Sequence, residues 1–141
     1  MDITVNVMLD EGAFMPDKAH DLDAGFDLRT PERIIVGKDS AAEVDTGVHL
    51  EIPEGYVGMI KSKSGLNHKH GINTEGVIDA GFTGSIKVKI YNHSGTHIIF
   101  EKGEKITQIV FLEIPNTKLQ LTNKFGEYER GDNGYGSSGR F

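Results

Sequence analysis

The feature that most constrains the fold of this chain is the alternation of apolar and polar residues along several short segments. This alternation has the period of two shown by a half-buried strand, in which successive side chains point to opposite faces of a sheet. It occurs at residues 3–9, 44–52 and 86–90. Denser apolar runs, at residues 33–36, 56–60, 97–100 and 106–114, predict more deeply buried strands. Helical periodicity is nearly absent, so we expect an all-β protein.

Turn-forming residues separate these apolar runs and indicate how the strands are arranged. Proline, glycine and aspartate fall between the runs at residues 15–17, 30–32, 52–55 and 93–95. Many short strands at close spacing are typical of a β-sandwich or jelly roll. One short helix is also expected: Ser64 is placed to cap its start, Leu66 to face inward and Gly71 to end it.

The length and composition narrow the class of protein further. With 141 residues and no cysteine, the chain fits one domain without disulfides or a thiolate metal site. It contains no apolar run long enough to span a membrane and no export signal at its start, so we expect a soluble cytoplasmic protein. We expect a folded domain over residues 1–125 and a flexible arm over residues 126–141, because this last segment is rich in glycine and serine.

The net charge argues against nucleic acid as a partner. The formal charge of the chain is −6, whereas binding to a phosphate backbone depends on concentrated lysine and arginine. An acidic protein still binds a triphosphate where cations and backbone N–H groups converge and a divalent metal carries part of the charge.

Five short segments combine small residues with side chains that suit a charged ligand. They are residues 24–28, 63–66, 76–82, 103–108 and 130–139. Asp79 follows the apolar pair Val77-Ile78 and precedes Ala80-Gly81, so a strand would present its carboxylate at a tight bend, as a general base is presented to water. A plain hairpin turn is the alternative, since aspartate is common there.

The other segments also allow two interpretations each. Ser64, beside Lys63 and Gly65, would be either a helix cap or part of an anion site. Gln108, inside an apolar strand, would either contact a ligand or satisfy a neighbouring backbone group. The glycine-rich tail with Arg130 would be either a solubilising extension or an arm that closes over a phosphorylated ligand.

In this order, the five segments resemble the motifs of the trimeric deoxyuridine triphosphatases, which cleave dUTP to dUMP and pyrophosphate. The resemblance covers most of the chain. It implies a jelly-roll subunit of the β-clip kind, Mg²⁺ as cofactor, and an activity that supplies dUMP and limits uracil incorporation into DNA. It also implies a homotrimer whose active sites each draw on three chains: the helix and serine segment of one, the hairpin with its aspartate from the next, and the tail of the third.

The resemblance also assigns roles to residues around the nucleoside. Asp79 is implied to be the base that activates water, and the ring of Phe82 to lie against the deoxyribose and exclude a 2′-hydroxyl. Without the resemblance, Phe82 would be a core residue and Asn73 a turn residue. Uracil is implied to be read by a hairpin that includes Asn73, Gly76, Val77 and Ile78.

Further roles are implied around the triphosphate. Lys63, Ser64 and Gly65 are implied to contact phosphate, and Asp27 and Gln108 to take part in catalysis by holding the water shell of a magnesium ion borne by the triphosphate. In the tail, Arg130 is implied to clamp the γ-phosphate and Tyr135 to stack on uracil. The remaining phosphate contacts there are implied for Gly136, Ser137 and Ser138.

The chain departs from the family pattern at three places. Lysine stands at position 63 where the family usually has arginine, phenylalanine stands at position 82 where it usually has tyrosine, and the stretch over residues 68–73 is shorter than in many relatives. These departures leave open a rival function, a nucleotide-binding regulatory protein that keeps the pocket as a switch. A second rival, from the related fold alone, is a dCTP deaminase.

Overall fold

The computed structural model describes residues 2–141 and confirms an all-β fold with one short helix. The elements, in chain order, are β1 (Asn6–Leu9), β2 (Gly25–Arg29), β3 (Ile34–Val36), β4 (Ser40–Asp45), β5 (Val48–Glu51), β6 (Tyr56–Lys61), α1 (Ser64–His70), β7 (Ile72–Asp79), β8 (Lys87–Asn92), β9 (Ile98–Phe100) and β10 (Lys105–Glu113).

The strands form a curled, jelly-roll-like sandwich. The largest sheet has six strands in the order β2-β10-β6-β7-β8-β4, and β1-β5 and β3-β9 form two-stranded sheets. All of the strand pairs are antiparallel. Among strands consecutive in the sequence, β6 pairs with β7 and β7 with β8, and every other connection in the described chain passes from one sheet to another.

One hydrophobic core fills the space between the sheets. The predicted alternation is clear in β8, where Val88 and Ile90 are buried while Lys87, Lys89 and Tyr91 are exposed. Phe100, at the end of β9, is the largest of the fully buried side chains. Burial of each such side chain contributes about 1.5–3 kcal/mol, so the core sets the positions of the strand ends that carry polar residues.

The segment over residues 44–52 was predicted to be one strand, and that prediction is wrong. It divides into the end of β4 and the whole of β5, which belong to different sheets. The bend lies at Thr46-Gly47, where Gly47 has a φ of 69° and the Thr46 hydroxyl donates to the Ile86 carbonyl oxygen at 2.6 Å. The apolar alternation continues through the bend because both strands face the same core, so the sequence pattern does not reveal the corner.

The helix was predicted correctly at one end only. Gly71 ends α1 in the left-handed conformation, with a φ of 64°, and its N–H donates to the carbonyls of Leu66 and Asn67. At the start, Lys63 rather than Ser64 is the cap residue, and no side chain makes a capping bond there. Ser64 therefore begins the helix proper, and the prediction that it caps the helix is wrong. Leu66 packs against the core, as predicted.

The C-terminal segment separates from the body of the subunit after β10. The Ile114 N–H donates to the Gly55 carbonyl at 2.8 Å, and beyond it residues 115–141 are exposed throughout. Their hydrogen bonds within the described chain stay inside this segment.

No helix formed by residues 2–141 is long and apolar enough to cross a membrane.

Candidate active site

A buried carboxylate lies at the centre of the first group of predicted residues. Asp27, in the middle of β2, has a side chain that is only 5% exposed, and it accepts hydrogen bonds from Lys63 Nζ and, at 3.1 Å, from Lys105 Nζ. Burial alone would raise the pKa of Asp27, but the hydrogen bonds and positive charges of the two lysines outweigh it and hold the pKa below its ordinary value. Asp27 is therefore ionised at neutral pH.

Gln108 lies beside this carboxylate on the neighbouring strand. Its position in β10 is directly opposite Asp27 in β2, and its side-chain NH₂ donates to the Ser62 carbonyl at 2.9 Å. Gly25 makes room for it, because a Cβ at that position would lie 2.3 Å from Gln108 Oε1. The amide thus satisfies a backbone carbonyl, one of the two roles considered for it, and keeps its oxygen beside the backbone of β2.

These residues line one cleft at the start of α1, which we call the helix cleft. Its volume is about 270 Å³. Its lining comprises Ala19, Asp23, Ala24, Gly25, Asp27, Lys63, Ser64, Gly65 and Gln108. No atom lies within 4 Å of the place where a Cβ would stand on Gly65, so a ligand can approach the backbone there closely. Predicted residues from three separate sequence segments therefore meet at a polar, glycine-lined surface that holds both a lysine and aspartates.

Asp79 occupies a different cleft, at the end of β7. The Phe82 N–H donates to the Asp79 carbonyl at 3.2 Å, and Gly81 has a φ of 91°, as at the third position of a type II turn. The turn interpretation is thus correct for the backbone. The Asp79 carboxylate itself is exposed and forms no hydrogen bond or ion pair within residues 2–141, so it is available to a ligand or to water.

Strands β7 and β8 diverge five residues before β7 reaches this carboxylate. They pair only over Ile72–Thr74 of β7, and β7 continues to Asp79 without β8 alongside. The resulting opening, which we call the hairpin cleft, has a volume of about 640 Å³. It is lined by Val77, Ile78, Asp79, Phe82, Gly84, Ser85, Ile86 and Lys87. Backbone groups of β7 that face the opening are therefore free to pair with a flat polar ligand.

Phe82 forms an apolar wall of the hairpin cleft. Its side chain is 47% exposed, so it is not the core residue that its sequence alone would have suggested. The ring packs against the backbone of Gly84, where an added Cβ would lie 2.7 Å from Phe82 Cζ. At position 76 the packing favours glycine, because a Cβ there would lie 3.3 Å from the side chain of Ile60.

Asn73 lies at the closed end of the split between β7 and β8. It is directly opposite Tyr91, and its side-chain oxygen accepts a hydrogen bond from His93 Nε2. By the alternation of the strand, its side chain is on the same face of β7 as those of Val77 and Asp79. The structure therefore places Asn73 on the same face of β7 as the hairpin cleft but outside its lining, four residues before Val77.

The predicted residues of the tail form a third group. Arg130 Nε donates to the Asn133 carbonyl at 2.7 Å, and Tyr135 is fully exposed, with a positive φ of 44°. The hollow they form with their neighbours is lined entirely by residues of the tail: Glu129, Arg130, Asn133, Gly134, Tyr135, Gly136, Ser137 and Ser138. None of these residues lines the helix cleft or the hairpin cleft.

The helix cleft and the hairpin cleft lie at opposite ends of the same pair of strands. In the β6–β7 ladder, Asp79 is opposite Val57, and Lys63 follows Val57 by six residues. At about 3.3 Å per residue, the two ends are about 20 Å apart. One subunit thus brings together the predicted residues within each group and keeps the groups themselves apart.

Sequence reasoning missed several residues that support the site. Lys105 forms an ion pair with Asp27, and the Ser62 carbonyl accepts a hydrogen bond from Gln108. Gly84 leaves room for the Phe82 ring, and His93 forms a hydrogen bond with Asn73. A lysine, a serine, a glycine and a histidine at turns or strand ends carry little signal individually. Only Lys105 was detectable, because it lies within a segment already singled out, at residues 103–108.

The donor set does not form a protein metal site. Within the described part of the chain, no three His, Cys, Asp or Glu side chains cluster as metal ligands would. Each carboxylate oxygen of Asp27 accepts a hydrogen bond from one lysine and retains a lone pair that can accept another from a water molecule. The residues present therefore fit the water shell of an ion that arrives with its ligand.

Comparisons with known proteins give a consistent result. The family model for dUTPase matches residues 11–139. The chain is similar to the deoxyuridine 5'-triphosphate nucleotidohydrolases of Clostridium tetani, at 38% identity with 94% of each chain covered, and of Mycolicibacterium gilvum, at 39% identity with 94% and 92% covered.

Solved structures show the same likeness. A mutant of the Staphylococcus bacteriophage 80alpha dUTPase with dUpNHpp is 30% identical and superposes with a TM-score of 0.90, over 97% of this chain and 99% of that one. A mutant dUTPase from phage phi11 of S. aureus, described as revealing the coordination of a structural Mg(II) ion, is 28% identical with a TM-score of 0.80, over 87% and 99% of the two chains.

Proposed function

This chain belongs to the dUTPase family and is a dUTP diphosphatase, and we propose that it uses Asp79 to direct a water molecule at the α-phosphorus of dUTP. The observation that carries this proposal is the unpaired carboxylate of Asp79 on a glycine turn at the mouth of the hairpin cleft, with the Phe82 ring beside it. An exposed carboxylate without a protein partner can accept a proton from water, and the apolar wall next to it suits a deoxyribose, which supports the role of general base for Asp79.

The proposed reaction is an in-line displacement at the α-phosphorus. Asp79 accepts a proton from water as the water oxygen bonds to that phosphorus. The bond between the α-phosphorus and the bridging oxygen to the β-phosphorus breaks, and pyrophosphate leaves with that oxygen, so that dUMP and pyrophosphate are the products. The backbone of β7 and the amide of Asn73 pair with uracil, and Phe82 excludes a 2′-hydroxyl.

In this proposal the helix cleft binds the phosphate groups of dUTP. The N–H groups at the start of α1, with Ser64 and Gly65, face the triphosphate, and Lys63 supplies positive charge. Asp27 and Gln108 would hold the water shell of a Mg²⁺ ion carried by the triphosphate. When bound, this ion neutralises charge that develops on the leaving pyrophosphate.

We propose that the complete site is built from three copies of the chain. The separation of about 20 Å along the β6–β7 ladder supports this, because one subunit cannot offer both clefts to one nucleotide. The segment between β10 and the arm supports it too: Leu119, Leu121 and Phe125 are more than 80% exposed on their own subunit and need another surface to cover them. Each site would then combine the helix cleft of one chain, the hairpin cleft of a second and the arm of a third.

The test of the mechanism follows the oxygen atom of water. Turnover of dUTP with Mg²⁺ in water labelled with heavy oxygen should place the label in dUMP, and Asp79→Asn should lower kcat by about 10²–10⁴ while leaving the affinity for a non-hydrolysable dUTP analogue nearly unchanged. Glu75→Gln is the matched control, since Glu75 is on the same face of β7 but is paired with Lys61. Label in pyrophosphate, or full activity of Asp79→Asn, would contradict the proposal.

A further inference from the structure

His93 is the hydrogen-bond partner of Asn73, and it is held in place from two sides. Its backbone N–H donates to the Gly71 carbonyl at 3.0 Å. Its ring is nearly parallel to the ring of Tyr91, with an interplanar angle of 5° and centroids 6.2 Å apart. From this position Nε2 meets the side-chain oxygen of Asn73. The ring is exposed, and these contacts orient it toward Asn73 without a ligand.

The bond between His93 and Asn73 determines which end of the amide is left for a ligand. An asparagine amide has an acceptor end, the oxygen, and a donor end, the NH₂ group. Because the oxygen only accepts, Nε2 of His93 must carry the hydrogen, in either the neutral or the charged ring. The oxygen is then occupied, and the NH₂ group of Asn73 makes no hydrogen bond within residues 2–141.

Uracil and cytosine differ in the group that such an amide end would meet. Position 4 of uracil carries a carbonyl oxygen, which accepts a hydrogen bond, whereas position 4 of cytosine carries an amino group, which donates one. A fixed NH₂ group pairs with the first and opposes the second. If the histidine nitrogen were an acceptor instead, the amide would rotate and present its oxygen, which suits cytosine.

We propose that His93 is a positioning residue that sets base selectivity by fixing the orientation of the Asn73 amide. The proposal rests on the proposed function to the extent that Asn73 lies in the base site. In this proposal His93 acts through Asn73 rather than on the nucleotide. Its effect is on the ratio of affinities for the two bases, because a rotated amide exchanges a favourable pair for an unfavourable one.

The test compares a donor and an acceptor at position 93. His93→Gln keeps an N–H near the place of Nε2, whereas His93→Glu offers only acceptors once it is ionised. Binding of non-hydrolysable dUTP and dCTP analogues is measured by calorimetry for the unmodified protein and both variants. We expect the preference for the uracil analogue to be kept in His93→Gln and to fall about 10- to 100-fold in His93→Glu.

Two further measurements separate this effect from a general loss of structure or charge balance. Added negative charge from His93→Glu weakens both triphosphates alike, so it cancels in the ratio. In an Asn73→Ala background, His93→Glu should leave the ratio unchanged, since the amide that it acts on is gone. Equal ratios in His93→Gln and His93→Glu, or an undiminished effect without Asn73, would overturn the proposal. Because binding rather than turnover is measured, failure of Asp79 as the base would leave this test intact.

Discussion

Lys63, the residue before α1, donates a hydrogen bond from its Nζ to the carboxylate of Asp27 in β2. This bond joins the start of the helix to the sheet across the helix cleft. Asp27→Asn keeps the shape of the side chain but removes its charge, leaving Lys63 and Lys105 close together without a counterion. We expect the free energy of unfolding at neutral pH to fall by about 1–3 kcal/mol, measured by urea denaturation. Asp132→Asn, in the exposed tail, is the control and should have no effect.

The stabilisation from Asp27 should depend on pH with a definite sign. The pKa of Asp27 is lower in the folded protein than its ordinary value, because the two lysine contacts outweigh burial. Its contribution is therefore fully present above the unfolded-state pKa of about 3.9 and is lost as pH falls through the folded-state pKa. The difference between the unmodified protein and Asp27→Asn should be constant from about pH 7 to 5 and shrink below about pH 4. A difference that grows in acid would contradict the assignment.

The sequence predicted most strands because their apolar alternation reports which face is buried. It failed at residues 44–52, where two sheets share one core and the alternation passes through the corner at Gly47. The segments that it singled out contain most of the residues that line the helix cleft and half of those that line the hairpin cleft, because these segments combine small and charged residues. It could not show that Lys63 and Asp79 lie at opposite ends of β6 and β7, since that distance depends on strand register rather than on residue type.

His49 links the loop after Phe82 to the end of β1, and this link should respond to pH. Its Nδ1 meets the Thr83 carbonyl at 2.7 Å and its Nε2 meets Asp10 Oδ1 at 3.0 Å. The bond to the Thr83 carbonyl, followed by the contact and charge of Asp10 and the charge of Asp45, raises the pKa of His49 despite partial desolvation.

A raised pKa means that protonated His49 stabilises the fold. This contribution is fully present below the unfolded-state pKa of about 6.5 and is lost as pH rises through the folded-state pKa. The thermal midpoint of the unmodified protein should therefore exceed that of His49→Gln by more at about pH 5.5 than at about pH 8.5. His68→Gln, on the exposed face of α1, serves as the control. A gap that widens with rising pH would show that the neutral ring is the stabilising form.

Gly84 should matter for sugar selectivity through Phe82. In Gly84→Ala the new Cβ would lie 2.7 Å from Phe82 Cζ and 3.0 Å from Cε1, so the ring must move. Under the proposed function the Phe82 ring excludes a 2′-hydroxyl, so its displacement should lower the ratio of kcat/KM for dUTP to that for UTP by about tenfold or more. Gly95→Ala is the control, because no atom lies within 4 Å of its Cβ position. An unchanged ratio would mean that the ring does not form the sugar wall.

Sharing of sites between chains predicts that two inactive variants restore each other. Asp79→Asn leaves the helix cleft intact, and Lys63→Ala leaves the hairpin cleft intact. We propose that each site combines the two clefts from different chains. In a mixed assembly, a site is then complete when its helix cleft comes from an Asp79→Asn chain and its hairpin cleft comes from a Lys63→Ala chain.

The experiment unfolds the two variants together in equal amounts and refolds them. About a quarter of the sites should then be complete. Activity on dUTP should then rise to about that fraction of the unmodified value, whereas each variant refolded alone stays inactive. Since sites contained within one chain could never be repaired by mixing, a mixture no more active than its components would refute the shared arrangement.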